Sequence, residues 1–498
     1  MPRARSLVLT LDVGTSSVRA MLADEGARPL PASEVKIEYA PRIEADGTAE
    51  MDPDRLVHHC LDAIGGALRE VRRTDRVAAV GVSTFWHGLL GLDLNDRPST
   101  ALILWSDTRS WHQARAMARE VDPEGVRLRT GAPIHPSYWP AKLAWLQTER
   151  PAAWQATRRW VSPGDYLYLE LFGRLATSAS MASGTGLRSL DSGTWDEPLL
   201  SCLGIERDQL PPEAEEMRGL RAEHGGRWAV LAGIPWLTAR GDGAMANLGS
   251  DCTSPRRRAI TVGTSAALRV VTRERPTLAR GLWCYLVDRD RYLVGGSFSN
   301  GGNLHEWLLK NTQVDEKRLE RSLRRLPPAS SRLTFLPLLS GERSPGFAAH
   351  SFGAIAQLTL ATTALDVARA GMEAVAIQMA MADEALDESA PGADRLLASG
   401  AALMRSPGWC QVMADVIGKP LSMLPVEEAS SRGAALVALE RVGMSTPRAL
   451  PIRRTFRPRD QAHDAYRAAY FRVQRLYDAL IEKRLFEDDA PTPESTTH

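Results

Sequence analysis

Leu7-Val8-Leu9-Thr10-Leu11-Asp12-Val13-Gly14-Thr15-Ser16 and, half a chain length later, Ala259-Ile260-Thr261-Val262-Gly263-Thr264-Ser265 carry the same Val-Gly-Thr-Ser tetrapeptide at the end of a β-rich apolar run. Each copy is followed by a second apolar run, residues 18–22 and 266–271, so each reads as strand, tight glycine turn and returning strand. Two related halves, each opened by a Gly-Thr hairpin, are the simplest account of such a repeat in 498 residues.

Outward from the first hairpin, Asp52-Pro53 is an N-cap with proline at the first helical position. Leu56, Cys60, Leu61, Ile64, Leu68 and Val71 keep helical spacing, which predicts a helix to about residue 73. Residues 77–83 read as a buried strand, 84–88 as a loop and 89–94 as a strand closed by Asn95-Asp96. In the second half 365–386 is helical, 395–399 a short strand, Ser406-Pro407 another cap-plus-proline start and 429–442 a further helix. Strands and helices alternate in both halves, which is α/β architecture twice over. The tail from Glu487 is expected to be disordered.

Hydrophobic residues at 44% and charged residues at 24% exclude a largely disordered chain. Sixty-one basic against 60 acidic side chains leave no field to attract nucleic acid or anionic lipid, and neither is an expected partner. The five cysteines are odd in number and form no C-x-x-C pair, which argues against a disulfide framework or a zinc site and makes a reducing cytoplasm the expected location. Residues 7–11 are too short for a signal-peptide core, and the uncharged stretch 344–365 is interrupted by Pro345, Gly346, His350 and Gln357, so no membrane helix is expected.

The only Gly-Lys, Gly418-Lys419, precedes Pro420, so there is no P-loop lysine, and the G-x-G-x-x-G fingerprint of dinucleotide enzymes is absent. Phosphate is left with the two Gly-Thr-Ser turns, Gly14-Thr15-Ser16 and Gly263-Thr264-Ser265, whose backbone N–H groups and hydroxyls can form anion-binding concavities; each alone also reads as an ordinary hairpin turn. Asp12, at the end of its strand, suits a hydrated Mg²⁺. Asp242, between Gly241 and Gly243 at the start of a run of small helix formers, reads both as an N-cap and as a general base kept ionised by the helix dipole. Trp86-His87 and Trp105-Ser106-Asp107-Thr108-Arg109 lie at strand ends, where open α/β sheets place ligands, and can clasp a polyol. Core packing for the tryptophans and a local Asp107–Arg109 ion pair are the plain alternatives.

Taken in order, these motifs resemble the FGGY family of carbohydrate kinases, closest to its gluconokinase branch. The matching stretches include Leu11 with Asp12-Val13-Gly14-Thr15, Trp86-His87-Gly88, Ala182-Ser183-Gly184-Thr185-Gly186, Gly241-Asp242-Gly243, Val262-Gly263-Thr264-Ser265, Leu282-Trp283-Cys284-Tyr285, Asn300-Gly301-Gly302-Asn303, Gly341-Glu342-Arg343-Ser344-Pro345 and Gly433-Ala434-Ala435. The resemblance implies a two-lobed actin-like (ribonuclease H-like) α/β fold with duplicated mixed sheets and an interlobe cleft. It divides the chain into a sugar-binding lobe over 1–249, a nucleotide-binding lobe over 250–450, and a C-terminal helix over 451–486 packing on both. It also implies ATP and Mg²⁺, transfer to a sugar or sugar-acid hydroxyl with gluconate first and xylulose second, and a homodimer as one arrangement. Asp242 would be the base and, with Asp12, organise the metal; Thr15 and Thr264 would hold phosphates; Gly301, Gly302, Gly400 and Ala401 would line the adenosine site; Arg109 or Arg188 would take a substrate carboxylate. Trp86, where the family commonly has Met, and Ala401, where it commonly has Gly, depart from the pattern. An actin-like ATP-binding sensor without transfer activity is the alternative from another class, and the presence of Asp242 argues for the enzyme.

Overall fold

The computed structural model describes residues 5–348, 351–425, 428–444 and 449–483. Each glycine hairpin seeds one sheet. Ser6–Val13 pairs antiparallel with Ser17–Ala23 across the first turn and parallel with Arg76–Thr84 on its other side. Arg257–Val262 repeats this, antiparallel to Ala266–Thr272 and parallel to Arg395–Ser399. The tetrapeptide repeat is therefore a repeat of topology, and each hairpin lies inside a mixed seven-stranded sheet. Leu7, Leu9, Leu11 and Val80 are buried in one core, and Ile260, Val262, Leu268 and Leu396 in another, so the chain forms two lobes.

Asp52 caps the helix Pro53–Ala67 by accepting from Asp54 N and Arg55 N. The helix stops short of residue 73. Gly66 allows it to lie against Val35, whose Cγ2 would stand 2.8 Å from a Cβ at that position, and the chain then tightens into a 3₁₀ turn, Leu68–Glu70, before Val71 turns extended. The strand expected over 89–94 is shorter, Leu90–Leu92, because Asp93 accepts from Asn95 N and Arg97 N and turns the chain.

Two segments from the second half of the sequence pack against the first lobe, the second of them an edge strand of the second sheet. The helix Ala429–Arg441 packs on the first sheet with Ala434, Ala435 and Ala438 in its core, and Gly81 lets the Ala434 carbonyl approach to within 2.2 Å of where a Cβ would stand. Strand Trp283–Asp288 lies against the helix Ala179–Gly184, with Leu286 N donating to Ser183 Oγ. The C-terminal helix Asp460–Tyr477 buries Tyr466, Ala469, Tyr470 and Val473 in the second core. The tail expected to be disordered lies outside the described residues. Among the described residues no helix is long and apolar enough to cross a membrane.

Candidate active site

Strand Arg76–Thr84 organises the site because it has a parallel neighbour on each side. Asp12 stands opposite its Ser83 on one flank; Arg240 stands opposite Ser83 and Gly241 opposite Thr84 on the other. With strands about 4.8 Å apart, Asp12 and Asp242 are carried to the same sheet edge about 10 Å from each other. Burial pushes the Asp12 carboxyl up to about 6; the Ser83 hydroxyl, otherwise unpartnered, pulls it down, and the Asp242 charge pushes it up again. Asp242 opens the helix Asp242–Gly249 one residue inside the N-cap, Gly241, and its Oδ1 accepts from Gly243 N at 2.7 Å. Burial raises its pKa, while the Gly243 N–H and the charges of Arg269 and Arg343 oppose the rise. The helix terminus alone does not set its charge, which revises the simpler expectation.

In the first turn Gly14 N donates to Ser17 O at 2.9 Å and the Gly14 carbonyl accepts from the Tyr39 hydroxyl at 2.5 Å. In the second, Gly263 N donates to Ser265 O at 3.0 Å, and Gly302 N and Asn303 N, opening the helix Gly302–Thr312, donate to Gly263 O at 2.8 Å and Thr264 O at 3.0 Å. Gly301 fits against Ser265, whose carbonyl carbon would be 2.8 Å from an added Cβ. Gly400, at φ 92°, lies under Val262. The exposed Ala401 begins the short helix Ala401–Arg405, which borders a cavity of about 570 Å³ lined also by His305, Glu320, Arg321, Arg405 and Ser406.

The loop leaving strand Arg76–Thr84 is filled by aromatics. Trp86 is only 5% exposed and wedges against three glycines: an added Cβ would meet its ring at 1.8 Å from Gly241, 2.2 Å from Gly184 and 2.8 Å from Gly243. Its Nε1 donates to Ser180 O at 3.0 Å. Core packing is thus what Trp86 does, and what it packs is the turn that carries Asp242. His87 is held in a left-handed conformation, φ 66°. Its Nδ1 lies on the Gly184 carbonyl, which assigns the proton to Nδ1 and leaves Nε2 as an acceptor. Burial, then the Arg343 charge, hold its pKa well below the ordinary imidazole value, against the Gly184 bond. Its ring sits edge-on to Tyr138 at 4.6 Å and to Tyr285 at 5.5 Å, and the two tyrosine hydroxyls bond each other.

Asp107 is 2% exposed and accepts from Ala49 N and from the Arg109 backbone and guanidinium, and Arg109 also pairs with Glu50 and lies over the Trp145 ring. The local ion pair is present, with both Asp107 oxygens and the Arg109 Nε and Nη2 engaged in it. Sequence reading missed Tyr138, Lys142 and Arg269, and met Tyr285 and Arg343 only inside longer motifs. Lys142, 1% exposed, donates to His87 O at 2.7 Å, and Trp139, one helical turn away, donates to Gly88 O at 3.0 Å, so one helix face grips two carbonyls of the His87 loop. A buried lysine in the otherwise apolar first two turns of its helix, residues 139–146, is the one local signal that could have revealed this grip.

Residues 7–249 match the N-terminal domain of the FGGY family of carbohydrate kinases and residues 258–440 match its C-terminal domain. Over 455 residues the chain is 27% identical to a gluconokinase of Bacillus subtilis (strain 168), covering 88% of each protein. Over 490 residues it is 26% identical to a xylulose kinase of Escherichia coli (strain K12), covering 95% of this chain and 99% of that one. The crystal structure of ligand-bound xylulose kinase from Lactobacillus acidophilus, 24% identical, shares the fold with a TM-score of 0.90 over 97% of this chain and 100% of that one. With both domains matched in order over most of its length, the chain belongs to the FGGY family of carbohydrate kinases and is a sugar kinase of the two-lobed, actin-like fold.

Proposed function

We propose that the protein transfers the γ-phosphoryl group of ATP to a hydroxyl of an open-chain sugar acid, gluconate first, with xylulose as the runner-up. The carrying observation is the pair Asp12 and Asp242 on the two flanks of one strand, with the first Gly-Thr turn directly after Asp12. The gluconokinase relative supports the acid, and the xylulose kinase, at nearly equal identity, supports the ketose. In this reading Asp242, whose Oδ1 is taken by Gly243 N, accepts the hydroxyl proton at its other oxygen as the substrate oxygen bonds to the γ-phosphorus and the bond to the β–γ bridging oxygen breaks, releasing ADP. Thr15 and Thr264 hold phosphate oxygens. Gly301, Gly302, Gly400 and Ala401 lead the adenosine into the cavity of about 570 Å³ beside the helix Ala401–Arg405. Two mutually repelling carboxylates fit a divalent cation held through water, and among the described residues no group of three acidic, His or Cys ligands would hold one unaided. Mg²⁺ there would neutralise phosphate charge. His87 accepts a substrate hydroxyl at Nε2, and Trp86 fixes the turn bearing the base. The reaction is assigned to the cytoplasm, where ATP is supplied.

Asp242→Asn keeps the shape and the Gly243 bond but cannot take the proton. Turnover is expected to fall by roughly 10²–10⁴-fold with the melting temperature and nucleotide binding retained. Near-normal turnover in the folded variant would remove Asp242 from the role of base.

A further inference from the structure

The two cations expected to meet a substrate carboxylate are both neutralised within the first lobe. Arg109 is held by Asp107 and Glu50, and Arg188 by Glu213 and the Ser189 and Gly193 carbonyls. The uncompensated cations of the cleft come from the opposite lobe. Arg343 reaches across to lie 5.4 Å from the Trp105 ring centroid and beside the Tyr138 hydroxyl, and its charge is felt at His87, Tyr285 and Asp242. Arg269, on Ala266–Thr272, donates to Thr261 Oγ1 at 3.2 Å and keeps a buried Nε without a partner. Among the described residues no carboxylate forms an ion pair with either arginine, and the Arg343 charge disfavours that of Arg269. The Asp242 carboxylate feels both charges, and His87, Tyr138 and Tyr285 beside them are neutral. The cleft lacks negative charge that its ligands must bring.

The geometry divides the two charges. Arg269 stands behind the second phosphate turn, bonded to Thr261 and close enough to Gly243 that an added Cβ would meet its guanidinium at 2.6 Å, so it faces the phosphoryl side. Arg343 faces the far side, against Trp105 and Tyr138. Its backbone is anchored: Phe347 N donates to Arg343 O at 2.7 Å, Ser344 N to Ser297 O at 2.8 Å, and the neighbouring Glu342 carboxylate accepts from the Tyr477 hydroxyl at 2.7 Å. A guanidinium on a fixed loop, backed by an indole face, is pre-organised to fork a carboxylate. We infer that Arg343 is the specificity-determining residue that takes the carboxylate of the sugar acid, so that the second lobe reads one end of the substrate while Asp242 in the first lobe holds the reacting hydroxyl. This rests on the sugar-acid kinase reading given above.

The test compares kcat/KM for gluconate and for glucitol, its neutral six-carbon counterpart, at saturating Mg-ATP in the wild type, Arg343→Met and Arg343→Lys, with calorimetric titration of gluconate alongside. Arg343→Met is expected to lose about 100-fold or more for gluconate, chiefly in KM, and at least about tenfold less for glucitol, whose smaller loss reflects only the charge that Arg343 places near Asp242 and His87. Arg343→Lys, a point charge without the fork, recovers part of the loss and serves if the Met variant folds poorly. Equal losses for both substrates, or an unchanged gluconate affinity, would overturn the role of Arg343 while leaving the kinase reading intact. A wild type that prefers glucitol or xylulose by tenfold or more overturns the sugar-acid reading itself, and the carboxylate role falls with it.

Discussion

Phe85-Trp86-His87 and Gly400-Ala401-Ala402 occupy the same place in the two lobes: each follows the strand that runs parallel to the first strand of a glycine hairpin. In the first lobe that place is filled by an indole wedged onto Gly184, Gly241 and Gly243, with a buried, neutral imidazole beside it. In the second it is nearly empty. Gly400, where a Cβ would stand 2.4 Å from the Val262 carbonyl oxygen, lets the chain pass under the phosphate turn, and small side chains then border an open cavity. In the proposed reading both loops meet a ligand, and side-chain volume decides which. A rigid, aromatic end suits hydroxyls that must be aligned with a base; an open end suits a large planar base.

Adding one methyl group to each lobe separates these two designs most strongly. Gly241→Ala puts a Cβ 1.8 Å from the Trp86 ring, which the Ser180 bond and Gly184 hold in place. The variant is expected to lose about 3 kcal/mol of stability by overpacking, and turnover should fall by about 100-fold or more because Asp242 is the next residue. Trp86→Leu in the same chain should return part of both losses, a coupling that a double-mutant cycle measures. Gly263→Ala meets nothing within 4 Å, so its melting temperature should stay near wild type while ATP affinity drops as the methyl group enters phosphate space. Equal stability losses in the two variants would break the distinction between a filled and an open loop.

The open loop was the more legible of the two. Its hairpin, the strand Arg395–Ser399 and the cap at Ser406 are local patterns, each written in fewer than twenty consecutive residues. The substrate side is assembled from side chains distant in sequence. Lys142 comes from a helix and Tyr138 from its N-cap, Tyr285 from an edge strand of the second sheet that packs on the first lobe, and Arg343 from a loop of the second. No periodicity or spacing links them, because what unites them is the packing of the Trp283–Asp288 strand on the Ala179–Gly184 helix. Asp107 and Arg109 show the converse case. Two charges at a strand end look like a ligand clasp, but Glu50, invisible as a partner from its position in sequence, closes the ion pair.

Lys142 gives the pH-dependent form of the contrast, since among the described residues no buried cation grips the second loop. Burial brings the Lys142 ammonium down to about 7, with Asp107 opposing the shift. Because the unfolded lysine titrates near ~10.4, the unfolded chain binds more protons between the two values. The stability from this group is complete at high pH and is lost as pH falls through about 7. Melting curves from pH 6.5 to 9 should therefore rise more steeply in the wild type than in Lys142→Met. The variant also strands the His87 carbonyl, a cost of about 1–3 kcal/mol, and is expected to raise the sugar KM by roughly tenfold with ATP binding unchanged. Parallel melting profiles would mean that Lys142 does not titrate in this range.

The smallest expected effect lies at Ala401, the first residue of the helix Ala401–Arg405 and exposed on the open side. Gly400 before it and Ala402 after it are fixed by close packing, the first against Val262 and the second as a buried residue, so Ala401 alone can change volume without disturbing the strand end. If adenosine enters along this helix start, Ala401→Gly widens the entrance and tightens ATP binding slightly or leaves it unchanged. The added backbone freedom should cost about 0.5–1 kcal/mol of stability. Calorimetry with a non-hydrolysable ATP analogue, paired with thermal melting, reads both quantities. A clearly weaker ATP complex in the folded variant would show that the methyl group of Ala401 packs on the nucleotide, which would make the second loop a filled site in the same sense as the first.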